Sequence, residues 1–190
     1  MTDLQREFAD YMALAKEMHE DVQASLHLFI STNKSAFARR TYVRTFFSDV
    51  EAYVNRMKRL LVSQELVHIS PLTALEKSAL LEEGYDITDQ GEVQARYDRY
   101  ISTDRSMRLL FRAAAKCYKL PYELPVGVRG WQAFRAALKV RHRITHPKAA
   151  VDLQVSDSDI DDVQAAHKWF IEVAQELQNG IVRKLTGQDP

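Results

Sequence analysis

Between Leu4 and Phe29 apolar residues recur at positions 4, 8, 11, 15, 18, 22, 26 and 29. That is the spacing of a helix with one face turned to a core, sustained too long for any strand. A polar connection of Ser31, Thr32, Asn33, Lys34 and Ser35 follows, and the pattern restarts with Val43, Phe47, Val50, Val54, Met57 and Leu61. Two long helices are therefore predicted, the second returning against the first. Phe46, Tyr53 and Leu60 widen the second apolar face, as expected of a central core helix, with a subunit interface as the alternative.

Helix breakers are scarce, with six Gly and five Pro in 190 residues, so the remaining boundaries are easy to place. Pro71 suits the first turn of a short helix capped by Ser70 and ended by Gly84. The Asp, Thr, Tyr and Val content from Tyr85 to Tyr100, around Asp89, Gln90 and Gly91, predicts an inserted β-hairpin at about 85–100. Ser102 or Thr103 then caps a helix to about Lys119. Pro121, Pro125, Gly127 and Gly130 predict a loop, and Trp131, Phe134, Leu138 and Val140 begin a helix limited by Pro147. Ser156 with Asp157 and Asp159 reads as the N-terminus of a last helix to about Leu185. The expected fold is an all-α antiparallel bundle of four long helices plus one or two shorter ones, forming one domain over 1–190 with an insertion at about 63–102.

Lys plus Arg and Asp plus Glu number 26 each, so no global charge points to nucleic acid or to a membrane surface. Cys117 stands alone and is expected to be buried as a small hydrophobe. The N-terminus lacks the basic-then-apolar order of a signal peptide, and no apolar run approaches membrane-spanning length. A cytoplasmic protein with no membrane association is the expectation.

The neutral total hides a basic block. No acidic residue lies between Glu123 and Asp152, a stretch that holds Arg129, Arg135, Lys139, Arg141, Arg143 and Lys148 together with His142 and His146. Guanidinium groups bind phosphate oxygens in a planar, bidentate way, and imidazole moves protons near neutral pH. The combination suits phosphodiester chemistry, although such a block is also what a solvated helix face looks like. His142 and His146, four apart, can converge on one helix face, as can Arg141 and Thr145. Arg141 and His146 are five apart and would diverge on a regular helix. Pro147 relaxes that objection, since the backbone must leave the helix at His146 and its side chain is then free to approach Arg141. The plainer role for His146 is to cap the last helical carbonyls.

Two histidines at i and i+4 can also ligate zinc, but the residue after the first is Arg143 and no Cys, Asp or Glu within the motif completes a site. No metal or other cofactor is expected. His167 falls in the apolar register of the last helix and reads as a hydrogen-bonded core residue. Glu51, on the second helix, is a carboxylate able to orient an imidazole or pair with Arg141, or simply to stay solvated.

The sequence Arg141, His142, three spacers and His146 resembles the Arg, polar residue, three residues, His motif of the HEPN family of helical ribonucleases and nucleotide-binding proteins. The resemblance covers about residues 4 to 62 and 103 to 185, and it places the motif at the end of the penultimate helix. It implies a metal-independent endoribonuclease, a toxin or defence effector, that cleaves RNA by attack of the ribose 2′-hydroxyl at the cleft of a homodimer. Mapped onto this chain, His146 is the general base or acid, Arg141 stabilises the phosphorane and His142 orients the substrate, with Glu51 and Thr145 in support. Arg143, Lys139, Arg135 and Lys148 would bind RNA phosphates. Partners implied are RNA, a second copy of the chain, and an antitoxin or small nucleotidyltransferase. The alternative is a non-catalytic helical interaction or nucleotide-binding module whose basic helix binds a protein or nucleotide.

Overall fold

Six α-helices and one two-stranded sheet make a helical bundle in the computed structural model, which describes residues 3–63, 71–96 and 101–187. Helix α1 spans Asp3–Ser31 and α2 spans Ala36–Leu61. Asn33 and Lys34 adopt left-handed backbone angles between them, and Ser35 Oγ accepts the Ala38 amide at 3.3 Å to start α2. Phe46, Tyr53 and Leu60 are all buried within the chain, so the wide apolar face of α2 is a core face.

The short helix α3 covers Ala74–Leu80, later and shorter than the sequence predicts. Its cap is Thr73, whose hydroxyl accepts from the Glu76 amide while the Glu76 carboxylate accepts from the Thr73 amide at 2.7 Å. A reciprocal Thr-x-x-Glu box satisfies two orphan donors at once, which is why the helix starts there. Ser70, the expected cap, lies outside the described residues. Gly84 does not end the helix either. The chain reverses at Glu82, which has φ of 57°, and Gly84 opens strand β1, Gly84–Ile87. Strand β2, Val93–Arg96, pairs antiparallel with it, Gly84 opposite Arg96 and Ile87 opposite Val93. The inserted hairpin is therefore present, with Gly91 at φ of 80° in its turn. Its expected continuation through 97–100 falls outside the described residues.

Helix α4 spans Thr103–Tyr118 after Ser102 and closes on a left-handed Lys119. Cys117 is half-buried rather than buried. Helix α5 spans Arg129–Thr145, so Gly130 belongs to its first turn and not to the preceding loop. A 3₁₀ turn at Ala150–Leu153, not expected from the sequence, is organised by Asp152, whose carboxylate accepts the amides of Lys148 and Ala149. Those two bonds hold the Asp152 carboxyl below the usual range. Helix α6 spans Asp157–Thr186, and Ser156 and Asp159 exchange side-chain-to-amide hydrogen bonds at its start.

The chain divides into two compact units. One comprises Met1–Phe8, Val54–Leu124 and Asn179–Pro190. Its core includes Met57, Leu61, Leu80, Met107, Leu110 and Phe111, and the buried Lys58 ammonium is matched by Glu82 at 2.5 Å. The other comprises Ala9–Tyr53 and Pro125–Gln178 and carries the motif. Here aromatic rings knit three helices together. Phe47 of α2 meets Phe134 of α5 at 5.6 Å, and Phe134 meets Trp169 of α6 at 5.6 Å. A Cβ at Gly130 would sit 2.4 Å from the Trp169 ring, so only glycine lets the first turn of α5 lie this close to α6.

Candidate phosphate site at the end of helix α5

Along α5, Phe134, Ala137, Val140 and Ile144 face the core, while Arg135, Lys139 and His142, and His146 just past its end, are exposed. Arg135, Lys139 and His142 run at intervals of four and three, which places them on one side of the helix. Inner and outer faces thus follow from one amphipathic pattern, and the outer face is cationic.

The helix ends at Thr145. His146 has φ of −124° and ψ of 60°, outside the helical region, although its amide still bonds the His142 carbonyl at 3.1 Å. Pro147 explains the departure, since its ring crowds a helical conformation at the residue before it. The His146 ring then lies beside the His142 ring, centroids 5.2 Å apart. Two exposed imidazoles stand side by side at the rim of the helix.

The guanidinium groups are distributed otherwise than the sequence predicts. Arg141 is paired with Glu51 of α2 at 2.8 Å, and among the described residues no hydrogen bond joins it to His146. Arg143 is paired with Asp159 of α6 at 3.0 Å. Thr145 turns its hydroxyl back to the Arg141 carbonyl at 2.7 Å, so it serves the backbone of the last turn. Arg135, Lys139 and Lys148 stay exposed. Glu51 is therefore an ion-pair partner of the motif rather than a solvated carboxylate.

One further cation enters the same place from α2. Arg44 donates from Nη2 to the Ile144 carbonyl at 2.8 Å, one of the carbonyls that a helix end leaves without an internal partner. Arg44 and Glu51 are seven apart and share a face of α2. That spacing was visible in the sequence, but nothing there indicated that this face meets α5. Asp159 was visible only as a first-turn acid, and it also neutralises Arg143.

His167 has a different setting. It is 6% exposed, its Nδ1 shares a hydrogen bond with Tyr42 Oη at 3.1 Å, and its Nε2 is buried without a partner. Burial, aided by the nearby positive charge of His19, pushes its pKa below the ordinary imidazole value. Asp49, also in this unit, is pushed up to about 6 by burial, with His19 acting against the shift. Among the described residues no three His, Cys, Asp or Glu side chains are grouped as a metal ion would require. No described helix is long and apolar enough to cross a membrane.

No family model, curated protein or solved structure matches this chain.

Proposed function

We propose that the chain is a metal-independent endoribonuclease of the HEPN type, acting as a homodimer in the cytoplasm as a toxin or defence effector. The observation that carries this reading is the helix end: His146 leaves the helix at Pro147 and stands exposed beside His142. Two adjacent imidazoles supply a base and an acid from one place. One takes the proton of the ribose 2′-hydroxyl as that oxygen attacks phosphorus, and the other gives a proton to the departing 5′-oxygen. The motif resemblance gives the task of stabilising the phosphorane to Arg141, which is paired with Glu51, and Arg135 and Lys139 continue the cationic face along the RNA backbone. In a dimer, two such helix ends facing one cleft would double the local charge. A neutralising antitoxin or a small nucleotidyltransferase is the partner that goes with this role.

The test is incubation of the purified protein with structured and unstructured RNA in EDTA beside His146→Ala. Cleavage by the wild type alone supports the assignment; cleavage that survives the substitution, or none on any RNA, ends it. Light scattering at low micromolar concentration checks the dimer, which a monomeric mass throughout would refute. One observation favours a second reading, a non-catalytic interaction or nucleotide-binding module: the motif guanidinium Arg141 is already occupied by a carboxylate. Nucleotide binding without any RNA cleavage would favour that module.

A further inference from the structure

Three guanidinium groups converge on the last turn of α5, and their charge is not equally available. Arg141 and Arg143 each meet a carboxylate, at 2.8 Å and 3.0 Å, and keep only 21% and 35% of their side-chain exposure. Among the described residues Arg44 meets no carboxylate. Its hydrogen-bond partner is a neutral carbonyl, that of Ile144, and its side chain is otherwise exposed. A guanidinium carries five N–H donors in a rigid fork, so one bond to a carbonyl leaves the charge and most of the fork unused. The carbonyl belongs to the last turn of α5, so the open fork lies at the same helix end as the two imidazoles, on the side where Ile144 faces the core. The bond also orients the planar group in advance, so little rotamer freedom is lost when an anion arrives.

We infer that Arg44, from α2, is the residue that grips the phosphate group at this site, while Arg141 positions α5 through Glu51. The ligand class is a phosphate oxyanion, and a phosphodiester of RNA is the form that the nuclease reading, on which this inference builds, would supply. The sequence motif assigns that task to Arg141. The distribution of carboxylates reassigns it, because an arginine already neutralised in a half-buried pair must give up its partner before it can serve an anion.

The experiment uses the full chain and two probes. Inorganic phosphate is titrated while the His142 and His146 ring resonances are followed by NMR, and cleavage of a single-stranded RNA oligonucleotide is measured in EDTA. Arg44→Gln removes the charge, and Arg44→Lys keeps the charge but loses the fork. The expected result is phosphate affinity weaker by about tenfold or more in Arg44→Gln, partly restored in Arg44→Lys, with kcat/KM falling in parallel. His146→Ala should abolish cleavage yet leave phosphate affinity within about threefold, since imidazole is the smaller contributor to anion binding. If Arg44→Gln binds phosphate as the wild type does while His146→Ala stops cleavage, the assignment of Arg44 is wrong and the nuclease reading stands. If no RNA is cleaved but phosphate binding depends on Arg44, the nuclease reading fails and the anion site stands. A fall in melting temperature in both Arg44 variants with phosphate affinity unchanged would reduce Arg44 to a helix cap and overturn the proposal.

Discussion

His146 at the end of α5 and His167 within α6 belong to the same compact unit, and their surroundings differ in every respect that governs imidazole chemistry. His146 is exposed, lies beside a second imidazole and sits where the backbone has left its helix. His167 is buried against Phe46, shares one hydrogen bond with Tyr42, and is held toward the neutral form by burial. The difference teaches that register on a helix, more than residue type, decides which histidine is able to exchange protons with a ligand. His167 lies in the apolar stripe of α6, whereas His142 lies opposite the apolar stripe of α5 and His146 has left the helix.

The contrast breaks most sharply under paired substitutions. His146→Ala should lower RNA cleavage by roughly a hundredfold or more while changing unfolding free energy by less than about 0.5 kcal/mol, as expected of an exposed residue. Cleavage assays and urea denaturation on the same preparation check both. His167→Ala should do the reverse. Removing a buried ring and leaving Tyr42 without its partner costs about 2–3 kcal/mol, with cleavage per folded molecule unchanged.

Two smaller effects sharpen the comparison through pH. Because the folded-state pKa of His167 lies below that of the unfolded chain, the unfolded state binds more protons in acid. The stabilising contribution is present above about pH 6.5 and is lost as pH falls through the folded value. Asp49 works in the opposite direction. Its carboxyl is pushed up to about 6 from 3.8 by burial, so its contribution is present below the unfolded value and lost as pH rises through 6. Asp49→Asn is therefore expected to raise stability at pH 7 by about 1 kcal/mol, measured as a shift in the urea midpoint that disappears near pH 4. The smallest change is Glu51→Gln, which frees Arg141 at a cost of at most about 1 kcal/mol, the upper end for a pair still partly open to solvent. It should lower thermal stability only slightly, and if Arg44 grips the phosphate it should lower cleavage less than Arg44→Gln does.

Much of the fold was legible because it rests on local rules. Helical period gave α1 and α2, and the Ser156-to-Asp159 spacing gave the start of α6. The errors came where two signals competed over a few residues. Pro71 drew the start of α3 too early, although Thr73 and Glu76 formed the stronger box, and Gly130 read as a loop residue when its purpose is close approach to Trp169. A glycine does not announce whether it supplies a turn or a lack of volume. The candidate site was legible in its imidazoles and not in its charges. The acid-free stretch around the motif ceases to be acid-free once α2 and α6 bring Glu51 and Asp159 against it.

By itself the sequence determined that a helix would end at His146, because Pro147 acts on the residue directly before it through a steric clash that needs no tertiary partner. It likewise determined that Arg135, Lys139 and His142 would share the outer face of α5, since that follows from helical geometry alone. Only the tertiary structure decided which guanidinium at the helix end keeps its charge available. Arg44 reaches the Ile144 carbonyl across 100 positions of sequence, while Arg141 meets Glu51 of α2 and Arg143 meets Asp159 of α6. Coulomb attraction acts through space and falls off within a few ångströms of water, so which charges cancel is fixed by how the helices pack.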